Sequence, residues 1–197
     1  MNTRRWGVVL GVVVGLLHAA AYAEDGTTLK YKLAKGDKLI YRTKSEMKQT
    51  QTIMGMALEN DMTNEGVSSY TVEAVDEKGN FQLSVKGERL KVKAKFGALG
   101  EFAFDSQSSE RDKSSVIGAA VTPLFERLSG AVYQATMSPE GEVVEVKGYA
   151  DLLRDLVENN PITAQFAGGG SNDAAKEGLR EMFPRVSKDA VKPGDTW

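Results

Sequence analysis

The sequence predicts an α+β fold, in which a curved antiparallel β-sheet of about six to eight strands packs one face against two or three helices. Apolar and polar residues alternate over much of the chain, as in Leu39, Tyr41 and Thr43, which is typical of half-buried strands. Turn sequences rich in Gly, Asn, Asp and Pro separate these stretches. Other segments repeat their apolar residues with helical spacing.

The first 23 residues have the pattern of a secretory signal. Arg4 and Arg5 precede the uncharged run Trp6–Leu17, and Ala21 and Ala23 supply small residues for a peptidase. We therefore predict a signal peptide at 1–23, export to the periplasm or the extracellular space, and a mature β-rich domain with helices at 24–187. The apolar run is shorter than the roughly 20 residues of a membrane-spanning helix, so we expect no transmembrane segment after cleavage.

The composition excludes several kinds of chemistry. The 197 residues include no cysteine and one histidine, His18, which lies in the predicted signal. The mature chain would then have no disulfide, no thiolate and no imidazole for a catalytic triad, a zinc site or a pH switch. A formal charge of −2 gives no general attraction to nucleic acid.

Eight segments are predicted to be strands. In chain order they are Leu29–Leu33, Leu39–Ile53, Glu59–Ala74, Phe81–Val85, Leu90–Phe96, Phe102–Phe104, Val132–Met137 and Glu142–Val146. Turns or bends are predicted at Lys35–Lys38, Met54–Met56, Glu77–Asn80 and Ser138–Gly141.

Three segments have helical patterns. The first, Ser115–Leu128, contains Pro123, which should start or kink the helix. The second is Tyr149–Asn159, and a third follows the flexible joint Gly168–Ser171, capped by Asn172 or Asp173.

The end of the chain repeats an earlier pattern. Val191–Trp197 places a large apolar residue two positions after a Gly-Asp turn, as Lys35–Leu39 does. Because structural repeats appear as self-similar segments, we expect 188–197 to begin a second β-unit that is cut short.

No residue is assigned to catalysis, to a cofactor or to a metal. Two groups of carboxylates could in principle support a glycosidase, although solvated surface charge is the more typical role of such residues: Asp105, Glu110 and Asp112, and Glu140, Glu142 and Glu145. The spacing of Glu59, Asp61 and Glu65 does not match a calcium-binding EF-hand loop. Gly168–Ser171 lacks the Lys-Ser/Thr of a phosphate-binding loop.

Two further surfaces have a binding alternative. Arg89, Lys91, Lys93 and Lys95 would share one strand face, which fits a solvated sheet better than a site for a polyanion or lipid headgroup. Met47, Met54, Met56 and Met62 could line an apolar groove, and ordinary core packing is the alternative.

Several motifs in this order resemble an uncharacterised family of exported bacterial proteins, known as a domain of unknown function. They are Lys35–Asp37, Gln51–Met56, Phe104–Ser106, Ser138–Val143 and Pro193–Trp197. The resemblance implies a family length that continues past Trp197, and it implies no activity. The overall plan is also similar to lipoprotein-carrier half-barrels, an architectural analogy that does not give function.

These observations predict a non-enzymatic binding or carrier module for an apolar or amphipathic ligand, such as a lipid-like molecule. The alternative is a structural or protein-interaction module of the cell envelope with a protein partner. A carboxylate-based hydrolase is the third hypothesis. We expect no cofactor and no nucleic-acid partner.

Overall fold

The computed structural model describes residues 26–53, 56–96, 100–111, 115–167 and 170–196. In these residues a six-stranded antiparallel sheet that does not close on itself packs against four helices, which confirms the predicted α+β class. In chain order the elements are β1 (Lys38–Ile53), β2 (Met56–Val75), β3 (Phe81–Phe96), β4 (Glu101–Asp105), α1 (Val116–Leu128), β5 (Val132–Met137), β6 (Val143–Lys147), α2 (Tyr149–Glu158), α3 (Pro161–Phe166) and α4 (Asn172–Met182).

Strands β1 and β2 form the predicted long hairpin. Their register runs from Lys38 opposite Thr71 to Ile53 opposite Met56, and the predicted bend at 54–55 lies outside the described residues. Residues opposite one another in an antiparallel pair share a sheet face. Leu39 and Tyr41 therefore face the helices, while Ile40 and Arg42 lie on the opposite face.

Strand β3 corrects the prediction of two strands at 81–85 and 90–96. It is one strand of 16 residues, and its register with β2 shifts between Val67 and Ser68. A shift of one residue moves side chains to the other face. For this reason the buried positions are odd-numbered up to Val85 and even-numbered from Val92.

Gly87 lies at this bulge for a steric reason. A Cβ atom there would lie 2.4 Å from the backbone oxygen of Leu128, the last residue of α1. The absence of a side chain thus allows the end of α1 to approach the sheet closely.

The second edge of β3 is divided between two partners. Residues Lys91–Lys95 pair with β4, and Phe81–Lys86 pair with β5, which continues to β6. Each half of β3 therefore belongs to a different part of the sheet.

Two of the three apolar clusters in the described residues lie between sheet and helices, and the third lies among the helices around Leu153. Phe183, just after α4, contacts Tyr31, Tyr41 and Tyr70 edge to face, with ring centroids 6.3, 5.5 and 5.0 Å away. On α1, Phe125 contacts three phenylalanine rings with centroids 5.6 to 6.5 Å away: Phe102, Phe104 and Phe166.

Three of the four helices begin at a serine cap or a proline, whereas α2 follows Gly148 and has no side-chain cap. Ser115 accepts a hydrogen bond from the Gly118 amide at 2.9 Å. Ser171 caps α4 through the Ala174 amide at 3.1 Å, one residue before the predicted cap. Helix α3, which was not among the three predicted helices, begins at Pro161, because proline suits the first helical position. Pro123 stands inside α1, at an exposed position.

The predicted strand Leu29–Leu33 is wrong, since these residues pair with no strand of the sheet. The segment instead crosses the β5–β6 turn, where the Tyr31 amide donates to the Pro139 oxygen at 2.7 Å. Tyr31 and Leu33 still pack against the cluster around Phe183, which explains why apolar and polar residues alternate in this segment. Farther out, Thr27 and Val191 form an isolated antiparallel bridge.

The two similar turn sequences have the same geometry. In Ala34–Asp37, the Asp37 amide donates to the Ala34 oxygen at 3.0 Å, and the Ala34 amide donates to Asp37 Oδ2 at 2.8 Å. In Lys192–Asp195 the corresponding distances are 3.0 and 2.7 Å. Gly36 and Gly194, with φ of 92° and 97°, supply the left-handed residue that each turn needs.

Candidate functional site

The sheet face opposite the helices carries charges whose sign changes from strand to strand. Cations predominate on this outer face of β1 and β3, and anions predominate on β2 and β4. The cations are Lys38, Arg42, Lys44 and Lys48 on β1, and Lys86, Arg89, Lys91, Lys93 and Lys95 on β3. The anions of β2 and β4 include Asp61, Glu65, Glu101 and Asp105.

The registers align these charges in two rows across four strands. One row is Lys44, Glu65, Lys91 and Asp105, and the other is Lys48, Asp61, Lys95 and Glu101. Opposite charges in directly opposed positions stabilise a sheet by about 0.2–1 kcal/mol per pair. The rows therefore explain the basic stretch of β3 as part of a charge-paired face, in agreement with the solvated alternative.

Strand β1 differs from the interior strands because it has a partner on one side only. Within the described residues it pairs with β2 and with no other strand over its 16 residues. An antiparallel ladder points the N–H and C=O groups of alternate residues to opposite sides. Every second residue of β1 therefore presents its backbone groups to an open edge, which can accept a further strand.

A hydrogen-bonded carboxylate stands at the bulge near this edge. Lys86 Nζ donates to Glu88 Oε2 at 2.8 Å, and the buried Ser69 hydroxyl donates to Oε1 at 2.8 Å. These hydrogen bonds lower the pKa of Glu88 from 4.5 to about 2. Lys38 Nζ adds a longer contact at 3.5 Å, so Glu88 ties the start of β1 to β3.

Grooves on the described surface lie on this outer face. One, of about 650 Å³, runs beside the bulge from β1 to β3, and another of about 570 Å³ lies between β3 and β4. Charged side chains make up much of both walls: Arg42, Lys44, Glu65, Glu88 and Arg89 in the first, and Asp61, Lys93, Lys95 and Glu101 in the second.

The carboxylates considered for catalysis are engaged in ion pairs and turns. Asp105 accepts from the Gln107 amide and from Arg89, both at 3.0 Å, and these bonds hold its pKa below the usual range. Such a group stays ionised near neutral pH and cannot serve as a general acid.

Three of the other catalytic candidates each have a cationic neighbour. Glu140 lies 3.6 Å from Lys30, Glu145 lies 2.8 Å from Lys147, and Glu142 pairs with Arg185. Asp112 and Gly168–Gly169 lie outside the description, as does the side chain of Glu59. Where side chains are described, no group of three or more His, Cys, Asp or Glu residues could hold a metal ion.

Two of the four methionines lie at the border of the core. Met47 and Met62 are opposite one another in the β1–β2 register. Met62 packs against the apolar cluster around Phe125, whereas Met47 is 44% exposed. Met54 is outside the described residues, and nothing is described of the Met56 side chain.

Sequence reasoning missed the open edge and the Glu88 site. The lysines of β1 were visible, but strand order decides whether a strand is interior, and this depends on contacts between distant residues. Glu88 was not predicted as a site residue because it lies at a bulge, where the alternation of apolar and polar residues is interrupted. The Gly87 beside it was the one available signal, since glycine within a strand often marks a bulge.

The open sheet, the helices on one face and the charge on the other define a β-rich α+β domain whose first strand, among the described residues, is paired on one side only. A model of the family described as a family of unknown function (DUF6263) matches residues 78–197, and the chain belongs to this family. The predicted resemblance to an uncharacterised family is thereby confirmed. The match begins in the β2–β3 turn, so β1 and β2 precede it.

A search of the curated proteins found no match, and a search of the solved structures found none. In the described part of the chain, no helix has the length and apolar character needed to cross a membrane.

Proposed function

We propose that this chain is an exported, non-enzymatic protein-interaction module that binds its partner along the open edge of β1. The observation that carries the proposal is the pairing of this 16-residue strand on one side only. Main-chain hydrogen bonds to an added strand would supply affinity, and alternate side chains would supply selectivity. Export is supported by the tripartite pattern at 1–23.

The absence of an enzymatic role is supported by the state of the carboxylates. Asp105, Glu140 and Glu145 each have a cation within 4.0 Å. A catalytic acid needs a pKa near the working pH, and the pKa of Asp105 moves in the opposite direction.

Photo-cross-linking in the producing cell tests the proposal. A benzophenone side chain would replace Ile40 on β1 or, as a matched control, Val132 on β5, which are 62% and 52% exposed. We expect one dominant protein adduct from position 40 and none of the same size from position 132. Equal adduct patterns, or no adduct from position 40, would rule out the β1 edge as the interface.

An apolar or amphipathic ligand is the second candidate, favoured by the exposed Met47 beside Met62. Met47 and Met62 together extend the apolar surface beyond the buried clusters of the core. Native mass spectrometry and lipid extraction of protein from its own cell would reveal such a ligand. A Met47→Glu variant should lose a fluorescent fatty-acid probe, whereas exposed Val144 on β6 changed to Glu should retain it.

Failure of both wild type and Val144→Glu to bind the probe would remove the second candidate. This outcome leaves the cross-linking experiment unaffected, because that experiment reports protein contacts only.

A further inference from the structure

Among the residues that the structure describes, no strand supplies countercharges on the open side of β1. Lys91 of β3 lies between Glu65 on β2 and Asp105 on β4. Lys44 of β1 occupies the same row, but it has Glu65 on one side only. The comparison identifies what the open edge lacks, which is a second strand with acidic side chains on this face.

Two cations of β1, Arg42 and Lys48, form no direct ion pair among the described side chains, although Lys48 lies opposite Asp61 in the register. Lys38 contacts Glu88 at 3.5 Å and Lys44 contacts Glu46 at 2.7 Å. Among the described side chains, no carboxylate lies within 4.0 Å of Arg42 or Lys48. A rise of about 3.3 Å per residue places these two cations about 20 Å apart along the strand.

A second copy of this chain fits the edge poorly. Its β1 would bring the same surplus of cations to the edge, and like charges in opposed positions destabilise a sheet pair. Lysines on an edge strand discourage this kind of self-association. The same lysines attract a strand of opposite charge.

We propose that the β1 edge binds an extended acidic segment of another protein, which adds a strand and places carboxylates on the outer face opposite Arg42 and Lys48. This inference rests on the proposed function and specifies the chemistry of its partner. The partner's other face would lie beside Leu39, Tyr41 and Met47, so apolar residues should alternate with its acidic ones.

Titration of the purified protein with three labelled peptides tests the inference. Each peptide has about ten residues, the length of a strand, with the same apolar positions and with Glu, Lys or Gln at the alternating positions. Fluorescence anisotropy should show binding of the Glu peptide, weakened by salt, and little binding of the Lys peptide. On binding, amide exchange by NMR should slow at alternate residues of β1.

Charge-reversal variants assign the contact to the edge. The double variant Arg42→Glu/Lys48→Glu should weaken binding of the Glu peptide by about tenfold, since it replaces two attractive charge pairs with two repulsive ones. Lys93→Glu, a matched change on the same face of interior β3, should alter affinity by less than about twofold.

Each other outcome overturns the inference in a recognisable way. Equal binding of all three peptides would refute the acidic partner and leave edge pairing, and therefore the proposed function, in place. Binding of the Glu peptide without alternate protection in β1 would refute strand addition. A concentration-dependent dimer that excludes the peptides would assign the edge to a second copy. If no peptide binds but position 40 gives a discrete protein adduct, the acidic character of the partner is refuted and the proposed function stands.

Discussion

Charge reversal at Glu65 is the most direct test of the paired rows on the outer face. Glu65 lies opposite Lys44 on β1 and Lys91 on β3. Glu65→Lys removes two attractive pairs and creates two repulsive ones. At about 0.2–1 kcal/mol for each exposed pair, the variant should lose about 1–3 kcal/mol of unfolding free energy at low ionic strength.

Urea unfolding followed by circular dichroism measures this loss. With a slope of about 2 kcal/mol per M, the midpoint should fall by about 0.5–1.5 M. Salt at about 1 M shortens the screening length to about 3 Å, so most of the difference from wild type should disappear there.

Glu73→Lys is the matched control. Glu73 is exposed on the same strand, and the β2–β3 register skips it between Val72 and Ala74. Because it opposes no charged residue, its reversal should change the free energy by less than about 0.5 kcal/mol. Equal losses in the two variants, or a Glu65→Lys loss that survives high salt, would refute the reasoning from the rows.

Three further changes probe other features. Phe183→Ala should cost about 3–5 kcal/mol of unfolding free energy, and Phe183→Leu clearly less, because only Ala removes most of the buried volume; similar costs would contradict this packing. Gly87→Ala should cost about 1–3 kcal/mol in thermal or urea unfolding, because its methyl group meets the end of α1, whereas Gly130→Ala, with open space around it, should not destabilise the protein. Glu88 has a folded pKa of about 2, below its ordinary 4.5, so its contribution to stability is present above pH 4.5 and is lost as the pH falls toward 2. Glu88→Gln should therefore be less stable than wild type at neutral pH and converge with it near pH 2, and a constant difference across unfolding curves in that range would count against the assignment.

Local patterns were sufficient to predict most elements. Alternation gave the strands around Leu39, Tyr70 and Phe102, and helical spacing gave α1, α2 and α4 within a few residues. These predictions succeeded because each depends on neighbours in sequence, through the periods of 2 and 3.6 residues. The Ala34–Asp37 turn was predictable for the same reason, since a Gly-Asp pair encodes it locally.

The failures arose where distant contacts decide the outcome. In residues 81–96 the apolar positions change from odd to even numbers, and this change predicts two strands. A bulge can produce the same change within one strand. Leu29–Leu33 alternates because Tyr31 and Leu33 reach the core, and alternation alone does not specify a ladder partner. The open edge of β1 depends on strand order, which single-strand patterns do not contain.

Strand β3 also has a consequence for how the domain comes apart. Its first half supplies Phe81, Leu83 and Val85 to the cluster around Phe183, and its second half supplies Val92 to the cluster around Phe125. Neither of these clusters can unfold without displacing β3, which also supplies core residues to the other. The shared backbone thus couples the two halves into one cooperative unit, although their hydrophobic side chains belong to separate groups.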